Sequence, residues 1–344
     1  MARTCFNSVD APRFGKRSGV LAPIRFVLQL AAVVATIACL GTQAQAQQWP
    51  SRPVKVVVPY GAGGVTDTLA RLTAERLTRT FGQSFYIENR PGAGGTIGVT
   101  NVIRGPADGY TLLFIGGAQF SVVPLIQDVT YDPIKELAPI SISGINGSVL
   151  AVPVDAPYET LKDFLQYARD NPGKVAYSTA GPATVTHLVA ALLAGRANID
   201  LTHVPFKGGP DALRALIANS VQMHFGNSSD MIEPVRAGAV KALGVSTSAP
   251  MPQIPTVPPV AGTIPNFELL GWNGYFAPAG TPKEIVAQLS TALRKIAQDP
   301  ELKSRLNSLG IETTSYTPEE ITEIINKDIR LYSEIVDMAR LRRK

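Results

Sequence analysis

Along most of this 344-residue chain, short apolar runs alternate with segments whose apolar residues recur at helical spacing. The first run, 54–59 (VKVVVP), is rich in β-branched valine and leads into a glycine-rich turn at 61–67. The next segment places Ala70 and Ala74 on one helical face, and Gly82 marks its end. Strands that alternate with helices in this way are typical of proteins with mainly parallel sheets. The sequence therefore predicts an α/β fold.

The second half of the chain changes this pattern. A new alternating block starts after 144–147, and a proline-dense stretch at 251–265 indicates a rigid connection over the surface. Beyond it, helical patterns at 283–298 and 318–338 have almost no strand of their own except 311–314. We therefore predict that the C-terminal block folds back onto the first domain and makes that domain discontinuous. Two chain crossings between the domains would then form a hinge.

The first 46 residues carry the features of an export signal. A basic segment that ends at Arg25 precedes an apolar run at 26–40, and an A-x-A pattern ends at Ala46. A membrane-spanning anchor is the alternative, but the run is shorter than the roughly 20 residues that cross a bilayer and contains Gln29. We predict that the signal peptide, residues 1–46, is cleaved near Ala46 and that the mature protein works in the periplasm.

Cleavage changes what the composition implies. Residues 1–46 hold five of the 32 basic and one of the 27 acidic residues, so 27 basic and 26 acidic residues remain. A net charge of +1 gives no indication of nucleic-acid binding. Both cysteines, Cys5 and Cys39, leave with the signal, so the mature chain has no disulfide, thiolate nucleophile or cysteine-bound metal. Lipid attachment at Cys39 is a weak alternative, because Thr36 stands where a lipid box has an aliphatic residue.

Three glycine-rich turns follow predicted strands, at 61–67, 92–96 and 178–184. Glycine lets the backbone approach a ligand closely, and the free N–H groups of a helix's first turn attract an anion. In open α/β sheets, ligands lie beyond the carboxyl ends of the strands, where such turns are found. A single turn of this kind also favours glycine for structural reasons alone. Three of them, in two predicted domains, favour a ligand site.

Motifs for nucleotide binding and serine hydrolysis do not occur in the sequence. The glycine turns do not match G-x-G-x-x-G, and the sequence has neither G-K-[ST] nor G-x-S-x-G. The histidines have no metal-ligand spacing. His187 lies just inside a helix after a candidate turn, where it could touch a ligand. His203 and His224 lie in strands, where a hydrogen-bonded core histidine is the more frequent case.

Two polar positions near the turns have alternative interpretations. Asp67 either caps the helix that follows or shapes the glycine loop, and we favour the N-cap because a free carboxylate would repel an anionic ligand. Lys207, which precedes Gly208 and Gly209, either offers a cation to the ligand or lies in a solvated turn.

Several blocks of the sequence together resemble one known family. The segment 49–71 (WPSRPVKVVVPYGAGGVTDTLAR) resembles the start of the mature Bug-type periplasmic solute receptors of tripartite tricarboxylate transporters. The resemblance continues at 88–95 (ENRPGAGG), 107–112 (ADGYTL), 178–187, 204–208 (VPFKG) and 271–282 (GWNGYFAPAGTP). These blocks keep the family's order and approximate spacing from about residue 48 to the C-terminus.

The resemblance implies a two-lobed periplasmic-binding-protein fold, of the Venus flytrap, type II-like form, with a discontinuous first domain. Residues 47–147 plus 268–344 would form lobe 1, and 148–267 would form lobe 2. Members of the family bind small carboxylates through two strand–helix loops, largely by backbone N–H groups, hydroxyls and ordered water. Carried onto this sequence, the ligand contacts are Tyr60, Gly61, Ala62, Gly63, Thr66, Asp67, Ser178, Thr179, Ala180, Gly181, Thr184 and His187.

The resemblance also implies a function. A monomeric receptor, without cofactor or metal, would bind a small carboxylate and deliver it to the membrane subunits of a secondary transporter. An exported hydrolase that uses Ser178 or His187, and a sensory module that docks on a membrane receptor, are the alternatives. Phe206 and Gly226 stand where many members carry polar residues, so we expect a less polar distal end of the pocket.

Overall fold

The computed structural model describes residues 49–339 and 341. The chain divides into two units, Met1–Trp49 and Pro50–Lys344, and the fold given below is that of the second unit. The predicted signal peptide at 1–46, with both cysteines, lies outside the described residues. Within the described part, no helix has the length and apolar character that crossing a membrane requires.

The described residues form two β-sheets with helices between their strands. The strands, in chain order, are β1 (Val54–Val58), β2 (Phe85–Asn89), β3 (Thr111–Gly116), β4 (Leu137–Asn146), β5 (Ser148–Val152), β6 (Val175–Thr179), β7 (Leu201–Pro205), β8 (Met223–Asn227), β9 (Lys241–Val245), β10 (Gly271–Pro278) and β11 (Ile311–Glu312). The helices are α1 (Val65–Phe81), α2 (Thr96–Ile103), α3 (Gly117–Ile126), α4 (Pro133–Glu136), α5 (Leu161–Asp170), α6 (Val185–Ala197), α7 (Gly209–Ile217), α8 (Ser228–Arg236), α9 (Lys283–Ile296), α10 (Pro300–Ser308) and α11 (Pro318–Met338).

The first sheet has the strand order β11–β4–β10–β3–β1–β2. Its N-terminal strands β1, β2 and β3 are parallel, as a strand–helix alternation predicts. Each crossover helix carries the chain back to the end of the sheet at which the preceding strand began. The helix α1 ends at Gly82, whose φ of 68° is left-handed and whose N–H donates to the Thr78 carbonyl oxygen. The long strand β10 then runs antiparallel between β3 and β4, so the C-terminal part of the chain completes the first sheet.

The second sheet has the strand order β7–β6–β8–β5–β9. The strand β6 is parallel to its neighbours β7 and β8, whereas β5 is antiparallel to β8 and β9. The helix α5 begins with a capping box formed by Thr160 and Asp163, and its Leu161, Phe164 and Leu165 side chains are buried, as the apolar spacing predicts. A single core of apolar side chains covers one face of this sheet.

The chain crosses between the two sheets at neighbouring positions. Gly147 joins β4 to β5, and residues 246–270 lead from β9 back to β10. The buried Ser246 hydroxyl ties these crossings together, because it accepts a hydrogen bond from the Ser148 N–H (2.9 Å) and donates one to the Leu269 carbonyl oxygen (2.8 Å). The segments that connect the two halves therefore lie side by side and are bonded to each other.

The C-terminal helix α11 packs in both halves. Its first turns place Ile321 and Ile325 in the core of the first sheet, where they join Phe276 of β10. Its last turns place Tyr332 and Val336 in the core of the second sheet. The end of the chain therefore contributes to the core of the second half, although the strands that precede it belong to the first.

Candidate functional site

A cavity lies between the two sheets, where the loops that follow β1, β3, β6, β7 and β8 meet. We call it the central cavity. Its empty space, including the open mouth, is about 590 Å³. Its lining residues are Tyr60, Gly61, Gly64, Val65, Thr66, Asp67, Gly116, Gly117, Ala118, Gln119, Asn146, Ala180, Thr184, Val185, Gly208, Gly209, Asn227, Asp230, Gly271, Trp272 and Asn273.

The turn between β1 and α1 forms one wall of the central cavity. The Tyr60 hydroxyl donates a hydrogen bond to Gln119 Oε1, and burial raises the pKa of this phenol far above its usual value. The Thr66 hydroxyl donates to Asn273 Oδ1 over 2.6 Å. Both polar side chains are therefore fixed by partners within the first half, and neither carries a charge at neutral pH.

Asp67 does not cap α1, and the predicted N-cap role is wrong. The helix begins one residue after Gly64, and Asp67 lies in its first turn with its carboxylate turned back towards the loop. It accepts hydrogen bonds from the Gly63 N–H (3.0 Å), from Arg71 Nε (2.9 Å) and from Asn89 Nδ2 (2.9 Å). Burial acts to raise the pKa of Asp67, but these hydrogen bonds outweigh it and hold the pKa below its usual value. The carboxylate thus shapes the glycine loop.

We expect the substitution Asp67→Asn to loosen this turn. An asparagine oxygen can replace only part of the acceptor set, so the free energy of unfolding should fall by about 1 kcal/mol. The value is modest because Arg71 is half exposed. Urea unfolding at neutral pH measures the change. The matched control is Glu75→Gln on the same helix, whose ion pair with Arg79 is exposed on both sides. An Asp67→Asn variant as stable as this control would contradict the role assigned to the carboxylate.

The turn between β3 and α3 forms the floor of the central cavity, and it is not among the three glycine-rich turns predicted from the sequence. Gly116 and Gly117 lie against Trp272, whose indole Nε1 donates to Asp328 Oδ2 over 2.6 Å. A Cβ at position 117 would lie 2.0 Å from the indole Cε2, so only glycine fits there. A glycine pair after the apolar run 111–115 (TLLFI) is the same signal that marked the other turns, and it could have identified this one.

The second half supplies the opposite wall. Ala180 and Thr184 come from the turn after β6, and Thr184 caps α6 by accepting a hydrogen bond from the His187 N–H. Asn227 and Asp230 come from the turn after β8, and Asn227 Oδ1 accepts a hydrogen bond from Asn146 Nδ2 of the first half over 3.2 Å. Asn227 and Asp230 make this wall polar, and the less polar distal end expected from Phe206 and Gly226 stays a prediction.

The two halves approach each other closely around the central cavity. A Cβ at Gly61 would lie 3.4 Å from the Lys207 carbonyl oxygen, and a Cβ at Gly271 would lie 3.1 Å from the Val185 side chain. Gly208 and Gly209 line the central cavity, whereas Lys207 is exposed and lines a neighbouring cavity with Pro59 and Phe206. The central cavity is thus bounded by backbone from both halves.

The helix N-termini are the main electrostatic feature of the site. The first turns of α1, α3, α6, α7 and α8 all contribute residues to the central cavity. Among the described residues, no side chain forms a capping hydrogen bond at α1, α3, α7 or α8. Uncapped N–H groups and the positive ends of helix dipoles favour a negative charge at this position. The ionisable residues in the lining are Tyr60, Asp67 and Asp230, and none of them is a cation. The attraction for an anion therefore comes from the backbone N–H groups.

Six of the predicted contact residues lie together in the lining, namely Tyr60, Gly61, Thr66, Asp67, Ala180 and Thr184. The others lie elsewhere in the described structure. Ala62 and Gly63 are exposed on the β1–α1 turn, and Gly181 lines the neighbouring cavity. Ser178 and Thr179 are buried at the end of β6, where the Ser178 hydroxyl donates to the Ala212 carbonyl oxygen and Thr179 pairs with His203.

His187 lies behind the loop and does not line the central cavity. Its Nδ1 accepts a hydrogen bond from the N–H of Ala183, a residue with a left-handed φ of 60°, and its ring stacks on His203 at 4.1 Å between centroids. His224 is fully buried and donates from Nδ1 to the Ser178 carbonyl oxygen at 3.0 Å. Burial lowers the pKa of His187 to about 3 and the pKa values of His203 and His224 to about 4. The three histidines are therefore neutral at pH 7, and they form hydrogen bonds and ring contacts within the second half.

A cavity between two α/β halves, with helix N-termini that contribute to it from both sides, is typical of the class of two-lobed solute-binding proteins. The model of the family described as "Tripartite tricarboxylate transporter family receptor" matches residues 69–341. The chain belongs to this family. It is 34% identical over 315 residues to a "UPF0065 protein in tcbD-tcbE intergenic region" of Pseudomonas sp. strain P51, a match that covers 91% of this chain and 94% of the relative.

Solved structures of similar proteins have the same fold. The periplasmic binding protein BugD matches with a TM-score of 0.81 and 30% identity, over 86% of this chain and 100% of that chain. An R. palustris protein with adipate matches with a TM-score of 0.82 and 30% identity, over 85% and 98%. MatC from Rhodopseudomonas palustris with bound malate matches with a TM-score of 0.80 and 31% identity, over 84% and 100%. The predicted two-lobed fold and the resemblance to Bug-type receptors are confirmed.

Family membership also settles the class of activity. Proteins of this family are periplasmic solute receptors, so this chain is a receptor and not an enzyme, and the alternative of an exported hydrolase is wrong. In agreement with this, Ser178 and Thr179 are engaged in hydrogen bonds within the core of the second half.

Proposed function

We propose that this protein binds a small organic carboxylate in the central cavity and delivers it to the membrane subunits of a tripartite tricarboxylate-type transporter. The observation that carries the proposal is the convergence of uncapped helix N-termini, from both halves, on a cavity lined by no described lysine, arginine or histidine. Backbone N–H groups then replace the water around the carboxylate without a fixed positive charge. Adipate and malate in two similar structures support this ligand class.

The proposed contacts combine the predicted residues with those that the fold adds. Tyr60, Gly61, Thr66 and the first turn of α3 would hold the ligand from the first half. Ala180, Thr184 and the turns that begin α7 and α8 would close on it from the second half. Ala62, Gly63 and Gly181 would act by shaping these turns, and Ser178, Thr179 and His187 by supporting the β6–α6 turn from behind.

We also propose how the chain is divided. Residues 47–147 plus 268–344 would form lobe 1 and 148–267 would form lobe 2, and the membership of the two sheets supports this division. The bonded crossings at Gly147 and Ser246 would form the hinge between the lobes. The monomer would be exported by a signal peptide cleaved near Ala46, which the basic and apolar segments before that residue support.

Binding to a carboxylate panel tests this function. We expect calorimetry on the mature protein to show saturable binding of one or more small mono- or dicarboxylates, with the matching amide or alcohol of each acid as a control. Bound ligand should raise the unfolding temperature by mass action. A mature protein that neither binds nor is stabilised by any acid of the panel would refute the receptor proposal. Transport of the bound acid in a strain that expresses the membrane subunits of such a transporter would separate a transport role from a sensory one.

A further inference from the structure

Asp328 lies on α11, outside the lining of the central cavity, and holds one of the residues that form it. Its Oδ2 accepts a hydrogen bond from the indole Nε1 of Trp272 over 2.6 Å, and its carboxylate also accepts one from the Tyr332 hydroxyl. Both partners are buried, Trp272 in the core of the first half and Tyr332 in the core of the second. One carboxylate therefore links the floor of the central cavity to the cores of both halves.

The indole of Trp272 supports the start of α3. A Cβ at Gly117, the first residue of α3, would lie within 2.0–2.4 Å of three indole atoms, so the ring packs directly on the first turn of this helix. Phe276 of β10, whose ring centroid lies 6.3 Å from that of Trp272, stacks on Phe120 of α3 with 4.8 Å between centroids. The first turn of α3 has no side-chain cap. The position of its free N–H groups therefore depends on the position of the indole.

The Asp328 carboxylate is a strong acceptor for this ring. Burial raises the pKa of Asp328 to about 6, so the group is mostly ionised at pH 7. Hydrogen bonds to an ionised acceptor are roughly twice as strong as those between neutral groups. Without this acceptor the buried indole N–H would cost free energy until the ring turned towards water. The open space next to the indole is the central cavity.

From this geometry we infer that Asp328 is a positioning residue of the ligand site. It holds the indole of Trp272 against Gly117, and so keeps the first turn of α3 where its N–H groups can bind the ligand carboxylate. The inference rests on the proposed function. Loss of the acceptor would release the ring into the central cavity, where it would occupy ligand space and leave the start of α3 without support.

Two substitutions at the same position test the inference. Asp328→Leu has a similar volume but no acceptor, whereas in Asp328→Asn the amide oxygen can accept from the indole and the amide nitrogen can donate to the Tyr332 hydroxyl. Calorimetry would use malate and adipate as probes beside the full carboxylate panel. For every acid that binds the parent, we expect Asp328→Leu to weaken binding about tenfold or more and Asp328→Asn to stay within about threefold of the parent. The control Glu334→Leu, at an exposed position of α11, should leave the affinity unchanged.

The fluorescence of Trp272 gives a second readout, which requires no ligand. The chain has two tryptophans, so a Trp49→Phe background isolates Trp272. In this background, Asp328→Leu should shift the emission to longer wavelength and make it more accessible to acrylamide. Asp328→Asn and Glu334→Leu should keep the parent's spectrum. Thermal unfolding shows whether each variant is folded.

A double substitution keeps the inference testable if Asp328→Leu alone does not fold. Trp272→Phe removes the indole N–H, so adding Asp328→Asn to it should change the affinity no further. A folded Asp328→Leu with the parent's affinity and spectrum, an Asp328→Asn as weak as Asp328→Leu, or a further loss in the double variant would overturn the inference alone. A parent protein that binds no acid of the panel would overturn the proposed receptor function, and the inference with it.

Discussion

Gly117→Ala should destabilise the protein by about 1–3 kcal/mol and abolish ligand binding. The new Cβ would lie within 2.0–2.4 Å of three atoms of the Trp272 indole. The indole cannot simply move aside, because it is buried and its Nε1 is hydrogen-bonded to Asp328. Overpacking of a fixed core group costs about 1–3 kcal/mol and occasionally more. The displaced ring would also enter the central cavity that it lines.

Urea unfolding and calorimetry on the same preparation measure these two effects. The control is Gly262→Ala, because a Cβ at that position meets no atom within 4 Å and its φ is not left-handed. This control should leave both the free energy of unfolding and the affinity unchanged. A Gly117→Ala protein with the parent's stability would show that the indole has room to shift, and the tight packing described for the cavity floor would then be wrong.

Acidification should destabilise the protein between pH 6.5 and pH 4. Burial lowers the pKa values of His187 to about 3 and of His203 and His224 to about 4, so the folded state binds fewer protons than the unfolded state in this window. The stability that the neutral histidines provide is complete above the unfolded pKa of about 6.5 and is lost as the pH falls. Asp230 and Asp328 act in the opposite sense, because burial raises their pKa values to about 6. With three histidines against two carboxyls, we expect a net loss on the order of 5 kcal/mol.

The variant His224→Asn tests the origin of this loss. Asparagine can keep the donor that Nδ1 directs to the Ser178 carbonyl oxygen, but it does not titrate. The variant should be less stable than the parent at pH 7 because the smaller side chain leaves a void, and its stability should fall less between pH 6.5 and pH 4. Urea unfolding at several pH values gives both slopes. Equal slopes would assign the acid sensitivity to groups other than His224.

The elements that the sequence could predict are those with strong local signals. The strand at 54–58, the glycine turn after it and the helix ended by Gly82 follow from β-branched residues, glycine and helical spacing. The strands β4 and β10 were not predicted, because their role comes from antiparallel pairing between residues more than 100 positions apart. That pairing, and not local propensity, gives the first sheet its discontinuous form.

The candidate site was predictable only where its residues lie on the glycine turns. Tyr60, Thr66 and Thr184 follow strands whose ends meet, and all three line the central cavity. Asp67 was assigned the wrong role because the helix starts three residues earlier than a cap at 67 requires. Trp272 and Asp230 carry no local signal, since they reach the cavity through the second chain crossing and through the order of strands in the second sheet.

The packing of α11 in both cores has a consequence for folding. The segment from Ile321 to Val336 fills positions in the interior of both halves. Neither interior is complete until this helix is in place, so the two halves share one cooperative step. Their final packing is therefore a single late event that waits for α11.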